Sequence, residues 1–425
     1  MRKELFCGLL AFGVGMGFAA EVSEVAVSQD ATKHIVTVSY TLSEGPAIIT
    51  FDVTAGGKSI GHEKLRQVLG DVNRKVEGDT THSFTWRPED SWKLVADRTD
   101  LAVQVKAWSL DNPPPYMTME LFGAHAVRFY PSREALPGGE ADPVYKTRTL
   151  LMRKIPAGGI AWTMGASGGS GNETPHTVTF TKDYYIGVYP VTLAHYLEVK
   201  GSAGRDAIIS SLGGTDLAKA YANDASTCGM MRPAAGLAYT WHLRGNQRGD
   251  SAYNWPSHKE VQASMVIGLF RSRFTGYVLD LPTSAQWEYA CRAGVGTAFN
   301  NGSDTDPGGV AWYAANNADD PDWVEGMPHA VGLKKPNAFG LYDMHGNVDE
   351  WVLDCYTGNA LADESDPEGP IDRSSAGCNR VVRGGDFATS ILSMLTSSYQ
   401  RPDGNAGGAQ SINYGFRLCV PAVAQ

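Results

Sequence analysis

The run Ala338-Phe-Gly-Leu-Tyr-Asp-Met-His-Gly-Asn-Val-Asp-Glu-Trp351 restricts what this chain can fold into more than any other stretch. Gly and Asn interrupt it, so it is neither an unbroken core helix nor a plain strand. Four oxygen-bearing side chains, Asp343, Asn347, Asp349 and Glu350, surround Gly346 inside an aromatic frame. Alternating carboxylates and free carbonyls suit a hard cation such as calcium, which takes six to eight oxygen ligands. A polar surface turn capped by Trp351 is the alternative. The residues alone leave both open.

At 425 residues the chain is long enough for two or three domains. Its 48 glycines and 10 tryptophans point to a loop-rich fold pinned by aromatic anchors. A net charge of -10, with no basic cluster, argues against a nucleic-acid partner, because phosphates would be repelled. Arg2 and Lys3 precede an apolar stretch from Leu5 to Ala20 that ends in small residues. This is the pattern of a secretory signal, with cleavage after Ala19 or Ala20. It is short for a membrane span, and no later segment is apolar enough to make one. The expected location is therefore secreted, periplasmic or cell-surface.

Such compartments permit disulfides. Five cysteines remain after cleavage: Cys228, Cys291, Cys355, Cys378 and Cys419. The odd count leaves at least one thiol outside any intrachain pair. Cys355 with Cys378 is the first expected pairing and Cys291 with Cys419 the second. Buried free thiols are the alternative for each.

Residues 21–112 read as an all-β sandwich. Val36, Val38, Tyr40 and Leu42 alternate with polar residues, as do Ile49, Phe51 and Val53, and Leu101, Val103, Val105 and Ala107. About seven short strands fit an immunoglobulin- or fibronectin-like arrangement. Asp111-Asn-Pro-Pro-Pro-Tyr116 makes a stiff break. Residues 113–146 are a linker or extra strands, and a second domain occupies 147–425. Its helices are expected at Leu193–Val199, in the Glu260–Arg273 region, and at Ser284–Arg292 behind a Thr283 N-cap. After Ala293 short elements joined by long loops are expected.

Four segments occur in a recognisable order. They are Asp280-Leu-Pro-Thr-Ser-Ala-Gln-Trp-Glu-Tyr-Ala-Cys-Arg-Ala-Gly294, the Ala338–Trp351 run, Arg380-Val-Val-Arg-Gly-Gly-Asp386 and Asn413-Tyr-Gly-Phe-Arg-Leu-Cys419. Ile155-Pro-Ala-Gly, Met164-Gly165 and Tyr189-Pro-Val-Thr192 add weaker agreement. Together they resemble the formylglycine-generating enzyme family, also called the sulfatase-modifying factor family. The resemblance implies an α+β fold for the second domain, irregular, loop-rich and C-type-lectin-like. It also implies calcium, with ligands falling on the Asp343 side chain, the Gly346 carbonyl, the Val348 carbonyl and the Glu350 side chain. A second family calcium site lies where this chain has Val310-Ala311-Trp312, without the usual asparagine.

The family's type reaction oxidises a sulfatase cysteine at a two-cysteine copper(I) site. Those cysteines lie between the Arg-Gly-Gly and Gly-Phe-Arg motifs. Here that interval runs from Asp386 to Tyr414 and holds no cysteine; Ser393, Ser397 and Ser398 stand there instead. A protonated hydroxyl does not replace a thiolate for copper(I). Copper is therefore not expected, and no catalytic residue is assigned. His345 reads as a turn residue, and Arg383 and Arg417 as anchors for loops. The expected function is a calcium-stabilised binding or scaffold module for a glycan, peptide or protein. The alternatives are an oxidase of the formylglycine-generating type using relocated cysteines such as Cys378 and Cys419, and a non-haem iron enzyme.

Overall fold

A computed structural model describes residues 20–30, 32–61, 65–78, 80–87, 101–245, 261–367, 379–403 and 411–422. The expected signal segment, apart from Ala20, lies outside these residues. So does Cys378. The chain divides into two units. The first takes the described residues up to Thr118 and Val127–Asp142; the second takes Met119–Ala126 and Pro143–Pro421.

Strict alternation builds the first unit. Strand β2 (Ile35–Ser43) buries Val36, Val38, Tyr40 and Leu42 and turns the intervening residues outward. It lies between β1 (Glu21–Asp30) and β7 (Thr80–Arg87), and β7 also pairs with β5 (Arg66–Gly70). A second sheet centres on β3 (Ala47–Ala55), with β4 (Lys58–Ser59), β6 (Arg74–Val76) and β8 (Leu101–Trp108). Ile49, Phe51 and Val53 form one core with the β2 residues and with Phe84 and Trp86 of β7. The Phe51 and Phe84 rings lie 4.7 Å apart. The segment expected as linker or extra strands contains β9 (Tyr116–Glu120) and β10 (Val127–Tyr130).

The second unit is mixed α+β. Its strands β11 (Thr149–Ile155), β14 (Tyr184–Gly187) and β22 (Cys419–Pro421) are antiparallel neighbours. Strands β12 (Ile160–Met164), β13 (His176–Phe180) and β18 (Glu364–Ser365) form a small sheet. Two-residue strands β15 (Ala311–Trp312) and β16 (His345–Gly346) run parallel. The innermost strand, β17 (Asp349–Cys355), is buried along its whole length. It lies between β19 (Arg380–Arg383) and β21 (Tyr414–Gly415), with β20 (Arg401–Pro402) beyond β19. The helix Ser284–Arg292 packs on β17 and β19. After Ala293 the described residues form only short strands, 3-10 turns and loops. The expected helices are present at Leu193–Lys200, Val266–Arg273 and Ser284–Arg292. Ala203–Ser211, Asp216–Asn223 and Thr227–Met230 are additional ones.

Candidate functional site

The Ala338–Trp351 run folds into a buried turn that feeds strand β17. Asp343, Gly346 and Asn347 all adopt positive φ. Gly346 has no substitute, because a Cβ there would meet the Trp312 carbonyl oxygen at 2.0 Å. Asn347 clamps a neighbouring loop. Its Oδ1 accepts the His329 N–H at 2.9 Å and its amide donates to the His329 carbonyl at 3.2 Å.

Asp349 and Glu350 are adjacent in an extended strand, so their side chains leave on opposite faces. Asp349 accepts the Gly385 N–H at 3.1 Å and pairs with Arg401. Burial, with Asp386 alongside, holds its carboxyl well above the usual range. Glu350 receives Arg417 in a bidentate pair, Nε and Nη2 each at 2.6 Å, and the Trp287 indole N–H at 2.7 Å. Arg417 also donates to the carbonyls of Gly187 and Tyr342. Arg383 joins Glu288, Ser284 and the Ser397 carbonyl. Both arginines are wholly buried and tie loops together.

The expected calcium ligands thus lie within one turn and the strand it enters. The Asp343 carboxylate has the Gly332 N–H at 2.7 Å as its donor. Burial pushes it up to about 6, against the pull of that N–H, Arg417 and Lys146. A carboxylate this desolvated is one that a cation would relieve. Glu350 keeps acceptor capacity on Oε1, which takes a single N–H from Arg417. The donor set, two carboxylates and the Gly346 and Val348 carbonyls, is all oxygen and fits a hard cation. Among the described residues, no three His, Cys, Asp or Glu side chains converge as metal ligands. Of the Val310-Ala311-Trp312 position, Ala311 and Trp312 form strand β15, paired to β16.

His345 is fully buried. Its Nδ1–H donates to the Leu395 carbonyl at 2.7 Å, and its Nε2 accepts the Asn300 N–H at 3.1 Å. Burial pushes it down to about 4, so the ring is neutral at physiological pH. Cys291 Sγ lies 3.6 Å from His345 Nε2 and 3.6 Å from Ser397 Oγ. The thiol is pushed up to about 12 by burial and is not a nucleophile in this setting. The expected Cys291–Cys419 disulfide does not form. Both thiols are free, and Cys419 lies 3.7 Å from Gln286 instead. Cys291 lies on the helix Ser284–Arg292 and Cys419 on β22, each with polar neighbours of its own. The Cys355–Cys378 pairing falls on Cys378, outside the described residues.

A cleft of about 850 Å³ opens beside this core. One wall is Trp162 of β12 and Tyr289 of the helix Ser284–Arg292; another is Ser393, Thr396, Ser398 and Tyr399. Glu173 and Asp304 bring carboxylates to it. Burial raises the Glu173 carboxyl above its ordinary range. Arg292 also lines the cleft, but its guanidinium is spent on Glu288 and the Gly165 carbonyl. The cleft therefore includes part of the Asp386–Tyr414 interval, from which Ser393, Thr396 and Ser398 line it. Sequence reading singled out that interval but not Trp162, Glu173 or Tyr289. The available signal was the Met164-Gly165 motif, two residues after Trp162. Gly165-Ala-Ser-Gly-Gly169 has the spacing of a nucleophile elbow. A 3-10 turn rather than a helix follows it, and Ser167 is exposed.

The family profile described as sulfatase-modifying factor enzyme 1-like domain matches residues 140–422. The formylglycine-generating enzyme of Streptomyces coelicolor is 30% identical over 325 residues, spanning 69% of this chain and 95% of that protein. That of Bos taurus is 25% identical, over 70% of this chain and 82% of its own length. The chaperone protein LppX of Paenibacillus barcinonensis is 27% identical, over 53% and 77%. Among solved structures, Treponema denticola variable protein 1 aligns with a TM-score of 0.44 and 23% identity, over 64% of this chain and 95% of that one. The chain belongs to the sulfatase-modifying factor, or formylglycine-generating enzyme, family.

Proposed function

We propose that the second domain is a calcium-stabilised binding module of an exported protein. It takes its ligand in the cleft bounded by Trp162, Tyr289 and the 393–399 segment, and does not oxidise cysteine with copper. The observation carrying this reading is the chemistry of that segment. Ser393, Thr396 and Ser398 face the cleft, where copper(I) would require thiolates. The nearest described thiol, Cys291, is buried behind Ser397 and stays protonated. The likeness to a protein named as a chaperone supports a domain that holds a partner rather than oxidising it. Export is the reading of the Arg2–Ala20 segment.

The test is copper reconstitution of the purified full chain, followed by oxygen-dependent turnover of a cysteine-containing sulfatase peptide. No turnover, and no stoichiometric copper, is expected. Turnover that disappears in the Cys378→Ser, Cys419→Ser double variant would replace the binding reading with the oxidase one.

A further inference from the structure

Resting on that reading of the cleft, we propose that its ligand is an amine-bearing sugar, a glucosamine-type oligosaccharide. Three features of the cleft carry the inference. The first is an aromatic platform. Trp162 is stacked on Phe180 at 6.4 Å with 17° between the rings, and it lines the cleft as well. Tyr289 abuts it at 5.3 Å and 59°. A flat indole face beside a tilted phenol suits the apolar face of a pyranose ring.

The second is unspent hydrogen-bonding capacity. Ser393 and Ser398 bring hydroxyls to the cleft lining, each able to donate and accept, while Thr396 gives its proton to the Ser393 carbonyl at 3.0 Å.

The third is charge. Glu173 and Asp304 are the carboxylates of the cleft, and Arg292 is the one cation among its described lining residues. With Arg292 engaged by Glu288 and Gly165, nothing in the lining answers an anionic ligand. Glu173 is half-buried and its carboxyl is raised by desolvation, so an ammonium group brought beside it would be bound favourably. An acidic glycan is disfavoured by the same carboxylates. A volume of about 850 Å³ exceeds what one amine side chain would fill and lies in the range that encloses a small ligand.

The experiment is calorimetric titration of the full chain with a glucosamine trimer, with its fully N-acetylated counterpart, and with a trilysine peptide. Wild type should bind the glucosamine trimer at least tenfold more tightly than either of the others. Trp162→Ala and Glu173→Gln should each weaken that binding about tenfold or more. Asp304→Asn, at an exposed position, should weaken it several-fold while leaving the melting temperature unchanged, which guards against loss through misfolding. Equal binding of the acetylated trimer, or binding of trilysine alone, overturns the amino-sugar assignment. If Trp162→Ala abolishes that other binding, the cleft reading itself still stands. Binding of none of the probes overturns the assignment, and copper-dependent turnover of the sulfatase peptide overturns the reading beneath it.

Discussion

At Glu350 two buried charges occupy one bidentate contact, with a tryptophan N–H as the third partner. Taking a guanidinium and a carboxylate out of water is repaid only when the geometry is complete. Glu350→Gln leaves Arg417 charged, fully buried and uncompensated. The expected loss is ~3–5 kcal/mol in a urea titration, the range for breaking a buried pair by removing one partner. A loss below ~1 kcal/mol would mean that the pair is not holding Gly187, Tyr342 and β17 together. A second residue gives a pH signature. Asp354 accepts the Ser284 N–H at 2.6 Å, and burial pushes its carboxyl up to about 7 from 3.8. Below pH 3.8 both folded and unfolded states hold the proton, so folding incurs no penalty from this group. As pH rises towards 7 the unfolded state releases the proton and the folded state keeps it. Stability falls across that window, by ~1.4 kcal/mol for each unit of separation. Asp354→Asn should remove the decline, so that its advantage over wild type grows from pH 4 to pH 8. Parallel profiles for the two proteins would rule out this titration. The roles of Arg417 and Arg383 as loop anchors were legible from their motifs. The free state of Cys291 and Cys419 was not, because pairing depends on where a helix and a strand come to rest, which spacing does not encode.

At the scale of elements, the helix Ser284–Arg292 shows what a local signal can specify. Thr283 Oγ1 accepts the Gln286 N–H at 3.1 Å, and Gln286 Oε1 accepts the Thr283 N–H at 2.9 Å, a reciprocal capping box. Every residue of that signal lies within four positions, so it could be read from the chain. Thr283→Ala should destabilise the domain by ~1 kcal/mol, while Thr283→Ser should be close to neutral, both measured by urea midpoint. An unchanged midpoint in the alanine variant would show that packing on β17, not the cap, fixes where this helix begins. The helix Asp216–Asn223 is the opposite case. Thr215 caps it through the Ala218 N–H, but its stabilising contact is distant in sequence: the Tyr221 hydroxyl accepts the Ala235 N–H at 3.0 Å. Eight residues are too few for a helix to hold in isolation, so this one depends on a contact that its local sequence does not announce. The front strands were readable because alternation is itself a local property. The cleft was not, since Trp162, Tyr289 and Ser393 converge from three separate segments.

For the second unit as a whole, stability has to come from something besides regular structure. Its strands are short, and its described residues after Ala293 form no α-helix. Buried ion pairs and aromatic anchors supply part of the cohesion, and the proposed calcium in the Asp343–Glu350 turn would supply more. A ligand that binds only the folded state adds RT ln(1 + [L]/Kd), which is ~2.7 kcal/mol at a hundredfold excess over Kd. Stripping the full chain with a calcium chelator should therefore lower its melting temperature. Added calcium should restore it, and equimolar magnesium should not, because the smaller ion favours a stricter octahedral shell and gives up its water reluctantly. Asp343→Ala should melt at one temperature with or without calcium. The same scan with copper(I) should leave the wild-type transition where it was, since the cleft offers hydroxyls at Ser393, Thr396 and Ser398. A melting temperature indifferent to chelation would remove calcium from the proposal and leave protein contacts, among them Arg417 and Trp287 on Glu350, the Gly332 N–H on Asp343 and the Asn347–His329 clamp, to steady this turn. A transition raised by copper(I) and abolished by Cys378→Ser would place a thiolate site in the domain and return the oxidase reading to first rank.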